Sequence, residues 1–216
     1  YFYYGLYQLW RYLIGDEDKK IEFLLQEDVQ KNIIKLIDSL SEDGKLEFLL
    51  RKQDNAIKIE KTMERLSDDN RKALEGLSGL EFRKEVIKRI GDEERKLSAI
   101  RKDRYLGNIE FTDYPDNRAI YIKNILLSIN DESIRIKGLD LIKEEYRVDV
   151  INSLSGDDKK MEVIEKMIHN SVKKSEIVEK LDKDENKIKF LDDITDYEHG
   201  KYNIIATLNE ENKVKV

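Results

Sequence analysis

The sequence contains no cysteine. Disulfides, thiolate zinc sites and cysteine nucleophiles are therefore excluded. Proline occurs once, at Pro115, which argues against a β-rich chain full of tight turns. No apolar run approaches the length of a transmembrane helix, which needs about twenty residues. Histidine is limited to His169 and His199. Neither stands in the His-x-x-x-His or Glu-x-x-His spacing that brings metal ligands onto one helix face. A Gly-x-Ser-x-Gly elbow is missing, and Gly76-Leu77-Ser78-Gly79 is not followed by the Lys-Ser/Thr of a phosphate loop. Asp182, Asp184, Asn186 and Asp193 loosely imitate a calcium loop, but Lys187 occupies the position where the sharp turn needs glycine. The reading is of a non-enzyme with no catalytic residue, cofactor or metal.

Positive charge is not in excess either. Forty basic residues face 46 acidic ones, for a net charge of −6. Phosphate binding needs a basic surface, so no nucleic-acid partner is expected. With 39% hydrophobic and 40% charged residues, the composition is too apolar for disorder and suits helices with solvated faces. The chain opens at Tyr1 rather than at methionine and reads as a soluble fragment of a longer protein. Its compartment is left open, with the cytoplasm ahead of the others.

One short phrase recurs: an Ile or Leu anchor, a small polar residue or glycine, then acids and a base. The anchors are Ile14, Leu40, Leu66, Ile90, Ile129, Leu154, Leu181 and Leu208. Their intervals are 26, 26, 24, 39, 25, 27 and 27 residues. The following residues are Gly15, Ser41, Ser67, Gly91, Asn130, Ser155, Asp182 and Asn209. All are types that cap helix N-termini, and acids after a cap suit the helix dipole. Asp16 with Lys20, Asp68 with Lys72, Asp92 with Lys96 and Asp131 with Arg135 have the favourable four-residue spacing. Apolar pairs such as Leu36-Ile37, Val86-Ile87 and Val150-Ile151 lie three and four residues before an anchor, on its helical face. Thr62-Met63 is the weakest of these pairs.

This pattern predicts an all-α fold of tandem helical hairpins, with a period of about 26 residues, stacked as an α-solenoid or curved superhelical array. It resembles α-solenoids such as tetratricopeptide or HEAT arrays, with a shorter period and without their signature residues.

Two segments depart from the period. Residues 1–12 hold seven of the chain's 18 aromatics, so residues 1–14 are expected to form an aromatic capping helix on the array of residues 15–216. The 39-residue interval carries an insert near residues 103–117. Loops on rigid scaffolds often carry function, and Tyr and Arg are enriched at binding hot spots. The candidate partner-binding residues are therefore Tyr105, Phe111, Tyr114, Arg101, Arg104 and Arg118, with Tyr3 and Trp10 at the aromatic end. Neutral surface loop and docked terminal helix are the simpler readings of the two segments.

The expected function is that of a non-catalytic protein-interaction scaffold, or a repeat segment of a larger protein, with a protein partner. The first alternative is a regulatory or substrate-recruiting domain of an enzyme. The second is a membrane-surface adaptor, in which Lys19, Lys45, Arg71, Arg95 and Lys159 align as a ridge for acidic headgroups. A solvated face paired with nearby acids is the simpler account of those five bases.

Overall fold

The computed structural model describes residues 16–26, 33–51, 55–102, 115–194 and 198–214. Three quarters of these residues are helical and none lies in a strand. No described helix is long and apolar enough to cross a membrane. The chain divides into two compact units, Tyr1–Phe111 and Thr112–Val216. The division falls within the stretch where the anchor spacing is anomalous.

The described helices of the first unit are α1 (Glu17–Gln26), α2 (Ile33–Asp38), α3 (Glu42–Arg51), α4 (Ala56–Met63), α5 (Asp68–Leu74), α6 (Gly79–Arg89) and α7 (Glu93–Lys102). Helix α3 sits at the centre and packs on α1, α4, α6 and α7. Its sequence requires this. Leu46, Phe48, Leu49 and Leu50 point to several sides, and a helix apolar on several sides must be surrounded. Glu47, in the same run, is 0% exposed.

In the second unit the described helices are α8 (Pro115–Ser128), α9 (Glu132–Lys137), α10 (Glu144–Asn152), α11 (Asp157–Met167), α12 (Ser171–Val178), α13 (Asp184–Lys189), α14 (Glu198–Ala206) and α15 (Glu210–Lys213). A 3₁₀ turn, Leu139–Leu141, joins α9 to α10. Helix α8 packs on α10, α10 on α12, and α12 on α14. Ile122, Leu126, Val150, Ile151, Ile177, Val178 and Ile204 fill this row and are all fully buried.

The anchors other than Ile14, which lies outside the described residues, are all buried. Helices begin within two residues after each of Ser41, Ser67, Gly91, Asn130, Ser155 and Asp182. The caps differ in detail from the sequence expectation. Ser41 and Ser67 do accept from the third amide of their helices, Gly44 and Asn70. Asn209 likewise accepts from the amide of Asn212 before α15, whereas at α7, α9, α11 and α13 the cap lies one residue later than expected. Asp92 caps α7 through the amide of Arg95, and Asp131 caps α9 through the amide of Ser133. Before α11 the cap is Gly156, whose φ of 72° lies in the region open to glycine.

The amides of Gly91, Ser155 and Asp182 are instead held from a distance, by carboxylates of earlier helices. Glu17 on α1 accepts from the amide and hydroxyl of Ser41. Glu42 on α3 accepts from the amide of Ser67 and the side chain of Asn70, both at 2.8 Å. Asp43 on α3 takes the amides of Gly91 and Asp92 at 3.0 and 2.8 Å. Glu132 on α9 accepts from Ser155, Glu144 on α10 from His169 and Asn170, Asp157 on α11 from Asp182 and Lys183, and Asp184 on α13 from Asn209.

A base three residues after the acid often reaches the same turn. Lys20 donates to the carbonyl of Ser39, Lys45 to that of Arg65, Arg135 to that of Ser153, and Arg147 to that of Met167. Lys187 donates to the hydroxyl of Thr207. The physics is direct. A turn between two helices leaves orphan carbonyls at the end of one and orphan amides at the start of the next. The dipoles make the first group negative and the second positive. An acid and a base three apart share a helix face and satisfy both. Each such pair acts as a clamp on a turn further along the chain.

Candidate functional site

Glu47 is the one carboxylate of the described chain with no solvent exposure. It stands where its helix, α3, meets α1 and α7. Such a charge is costly unless paired. Three cations surround it, and each is shared with a different acid on α1. Arg95 lies 3.5 Å from Glu47 and 2.8 Å from Glu17. Lys102 lies 3.5 Å from both Glu47 and Asp18. Arg51 lies 3.6 Å from Glu47 and pairs with Glu22.

The pairing is incomplete. The Oε1 atom of Glu47 is buried without a hydrogen-bond partner, as is the Nη1 of Arg51 beside it. Burial pushes the Glu47 carboxyl above its ordinary range, and nearby Asp18 pushes in the same direction. The cations Lys102, Arg95 and Arg51 oppose this without cancelling it. Next to Glu47 is a cavity of about 300 Å³, lined by Asp18, Glu47, Asp92, Glu94, Arg95 and Ser98. That volume is at the lower end of the range for ligand pockets. Among the described residues no three histidine or carboxylate groups converge as a metal site.

Most of the residues expected from sequence to bind a partner lie outside the described residues: Tyr3, Trp10, Arg104, Tyr105, Phe111 and Tyr114. Arg101 is exposed on α7 in the first unit, and Arg118 is half-buried on α8 in the second. His169 is exposed in the turn between α11 and α12, and His199 is exposed on α14. All five bases of the expected ridge are drawn to carboxylates of their own unit. Lys19 pairs with Asp16, Lys45 with Glu42, Arg71 with Asp68, Arg95 with Glu17 and Lys159 with Glu132.

Sequence reading did not single out Glu47. The signal was present in Leu46-Glu47-Phe48-Leu49-Leu50, an acid embedded in a run that is buried on all sides. Comparison with protein-family models, with curated proteins and with solved structures finds no match for this chain.

Proposed function

We propose that the chain is a tandem array of helical hairpins with a period of about 26 residues, serving as a non-catalytic protein-binding scaffold. The observation that carries the array is the recurring clamp. Glu17, Glu42, Glu132, Asp157 and Asp184 each hold a turn 23 to 26 residues ahead. Units that brace their neighbours in this way form rigid stacks, and rigid stacks present extended binding faces. The scaffold reading has further support in where the acids are used. Glu42, Glu132, Asp157 and Asp184 all titrate below their ordinary values while accepting bonds from such turns. Carboxylates fixed in this way hold turns and are poorly placed to transfer protons.

The candidate contact residues remain Arg101, Arg104, Tyr105, Phe111, Tyr114 and Arg118, with Tyr3 and Trp10. The test is affinity capture with the intact chain, followed by calorimetry with the purified partner. A chain in which residues 103–117 are replaced by a short Gly/Ser connection should bind that partner at least about tenfold more weakly. Unchanged affinity would remove the insert from the contact surface. Failure to capture any reproducible partner would overturn the scaffold.

A further inference from the structure

We infer that the edge formed by α14 and α15 is an interface with a second copy of this chain, related to the first by a two-fold axis. The inference goes beyond the scaffold reading and starts from the register of the second unit. Val148, Ser175 and Tyr202 share one position of the repeat, and Ile151, Val178 and Ile205 another, at intervals of 27 residues. Val148 and Ser175 are 6% and 7% exposed, and Ile151 and Val178 are fully buried. The next helix of the row covers them. At Ser175 the cover is visible directly, since a Cβ at Gly200 of α14 would lie 3.2 Å from the Ser175 hydroxyl. Tyr202 holds the same position on α14 yet is 71% exposed, and Ile205 is only half-buried. Among the described residues, α14 thus leaves open the face with which α10 and α12 each receive a further helix.

The polar groups beside it depart from the repeat in the same way. Glu210 and Lys213 stand two and five residues after the anchor Leu208, as Glu42 and Lys45 do after Leu40. Glu42 and Lys45 hold the turn at Arg65 and Ser67. Glu210 is 91% exposed, and Lys213 pairs with it at 2.8 Å on the same short helix. An exposed pair of this kind contributes little, so little is lost when its members find other partners.

A face that elsewhere receives a helix of this repeat fits another helix of this repeat, and a second copy brings one in its own α14. Two-fold symmetry settles the charges. In such a contact residue i meets j of the other copy while j meets i. Glu210 and Lys213 are opposite in sign, so each meets its complement across the axis. Tyr202 and Ile205 form the apolar centre, and tyrosine is enriched in such centres.

The test is sedimentation equilibrium of the full chain from micromolar to millimolar concentration, where a monomer–dimer equilibrium is expected. Tyr202→Glu should weaken the dimer at least about tenfold. Glu210→Lys and Lys213→Glu each set like charges across the axis, and each should weaken it about threefold or more at low salt. Mixed together, these two variants face acids with bases again and should form a heterodimer about as tight as the wild-type dimer. Glu81→Gln, on α6, should change nothing. Tyr202 and Glu210 are exposed, and unchanged far-UV circular dichroism is expected for all of these variants. Monomers at every concentration, species that grow beyond the dimer, a dimer indifferent to Tyr202→Glu, or no recovery on mixing would each overturn the assignment. So would a chain that stays monomeric while binding a different protein through Tyr202.

Discussion

Gly44 lies directly beneath the carboxylate of Glu17: a Cβ at position 44 would sit 2.7 Å from the Glu17 Cδ. That carboxylate holds the amide and hydroxyl of Ser41. Glycine inside a helix is unfavourable by about 1 kcal/mol against alanine, yet here it makes room for the clamp. Gly44→Ala is therefore expected to yield no net stabilisation in the wild-type chain. In a Glu17→Ala background the same change should stabilise by about 0.5–1 kcal/mol. Denaturant melts of the four proteins of this cycle supply the coupling. Equal effects in both backgrounds would dismiss the close approach.

Arg147 is the basic half of a clamp and binds three carbonyls. Its guanidinium donates to the carbonyls of Leu139 and Ile142 at 2.9 and 3.0 Å and to that of Met167 at 2.8 Å. Arg147→Ala strands these carbonyls, and the expected loss is about 2–3 kcal/mol. Arg147→Lys should recover less than half, because an ammonium lacks the planar fork. Full rescue by lysine would mean that charge alone matters.

The acids of the clamps set an acid limb of stability. Glu132 is lowered from 4.5 to about 2 by the Lys159 ammonium and by the amide and hydroxyl of Ser155. A depressed folded-state value means that the stabilisation is present above the unfolded value and is lost as pH falls through the folded one. Denaturation midpoints should therefore drop between about pH 4.5 and about pH 2. Glu132→Gln should make that drop shallower. An unchanged slope would show that the bonds to Ser155 and Lys159 do not persist in solution.

Glu47 works in the opposite sense. Burial raises its carboxyl, so the folded chain holds that proton more tightly than the unfolded chain. Its contribution is fully present below the unfolded value and is lost as pH rises through the folded one. Glu47→Gln should then gain stability relative to wild type as pH increases over this window. A gain that shrinks with rising pH would contradict the assignment.

Core and cap can be ranked by the same melts. Ile151 is 0% exposed, and Ile151→Ala should cost about 2–5 kcal/mol. Ser67 accepts from Asn70 at a long 3.4 Å while its own amide is held by Glu42. Ser67→Ala should cost about 1 kcal/mol or less. The reverse order would misplace Ile151.

The helical class and the starts of its helices were legible because anchors and caps are local signals. An apolar residue every turn and a small polar residue at the break are read without knowing the partner helix. Ile151 beside Val150 and Ile177 beside Val178 are buried as their spacing implies. The clamps were not legible, because Glu132 and Ser155 are 23 residues apart and only packing joins them. Sequence reading paired Asp16 with Lys20 and Asp131 with Arg135 along their own helices. In the structure Lys20 and Arg135 reach forward to Ser39 and Ser153. A spacing of three, as in Glu17-x-x-Lys20, Glu42-x-x-Lys45, Glu132-x-x-Arg135 and Glu144-x-x-Arg147, was the signal to follow. Glu47 escaped notice for a related reason: its three cations come from α3 and α7, and only the fold brings α7 to α3.

The clamps from Glu17 with Lys20 to Asp184 with Lys187 all point in one direction, from an earlier helix to a later turn. On the ribosome, the acid and base of each pair leave the exit tunnel before the turn they hold. A newly emerged turn therefore meets its brace already in place. Chains are synthesised at about 5–20 residues per second, so each new turn follows its brace by a few seconds at most. Within each unit, the clamping of turns by these acids and bases therefore follows the direction of translation.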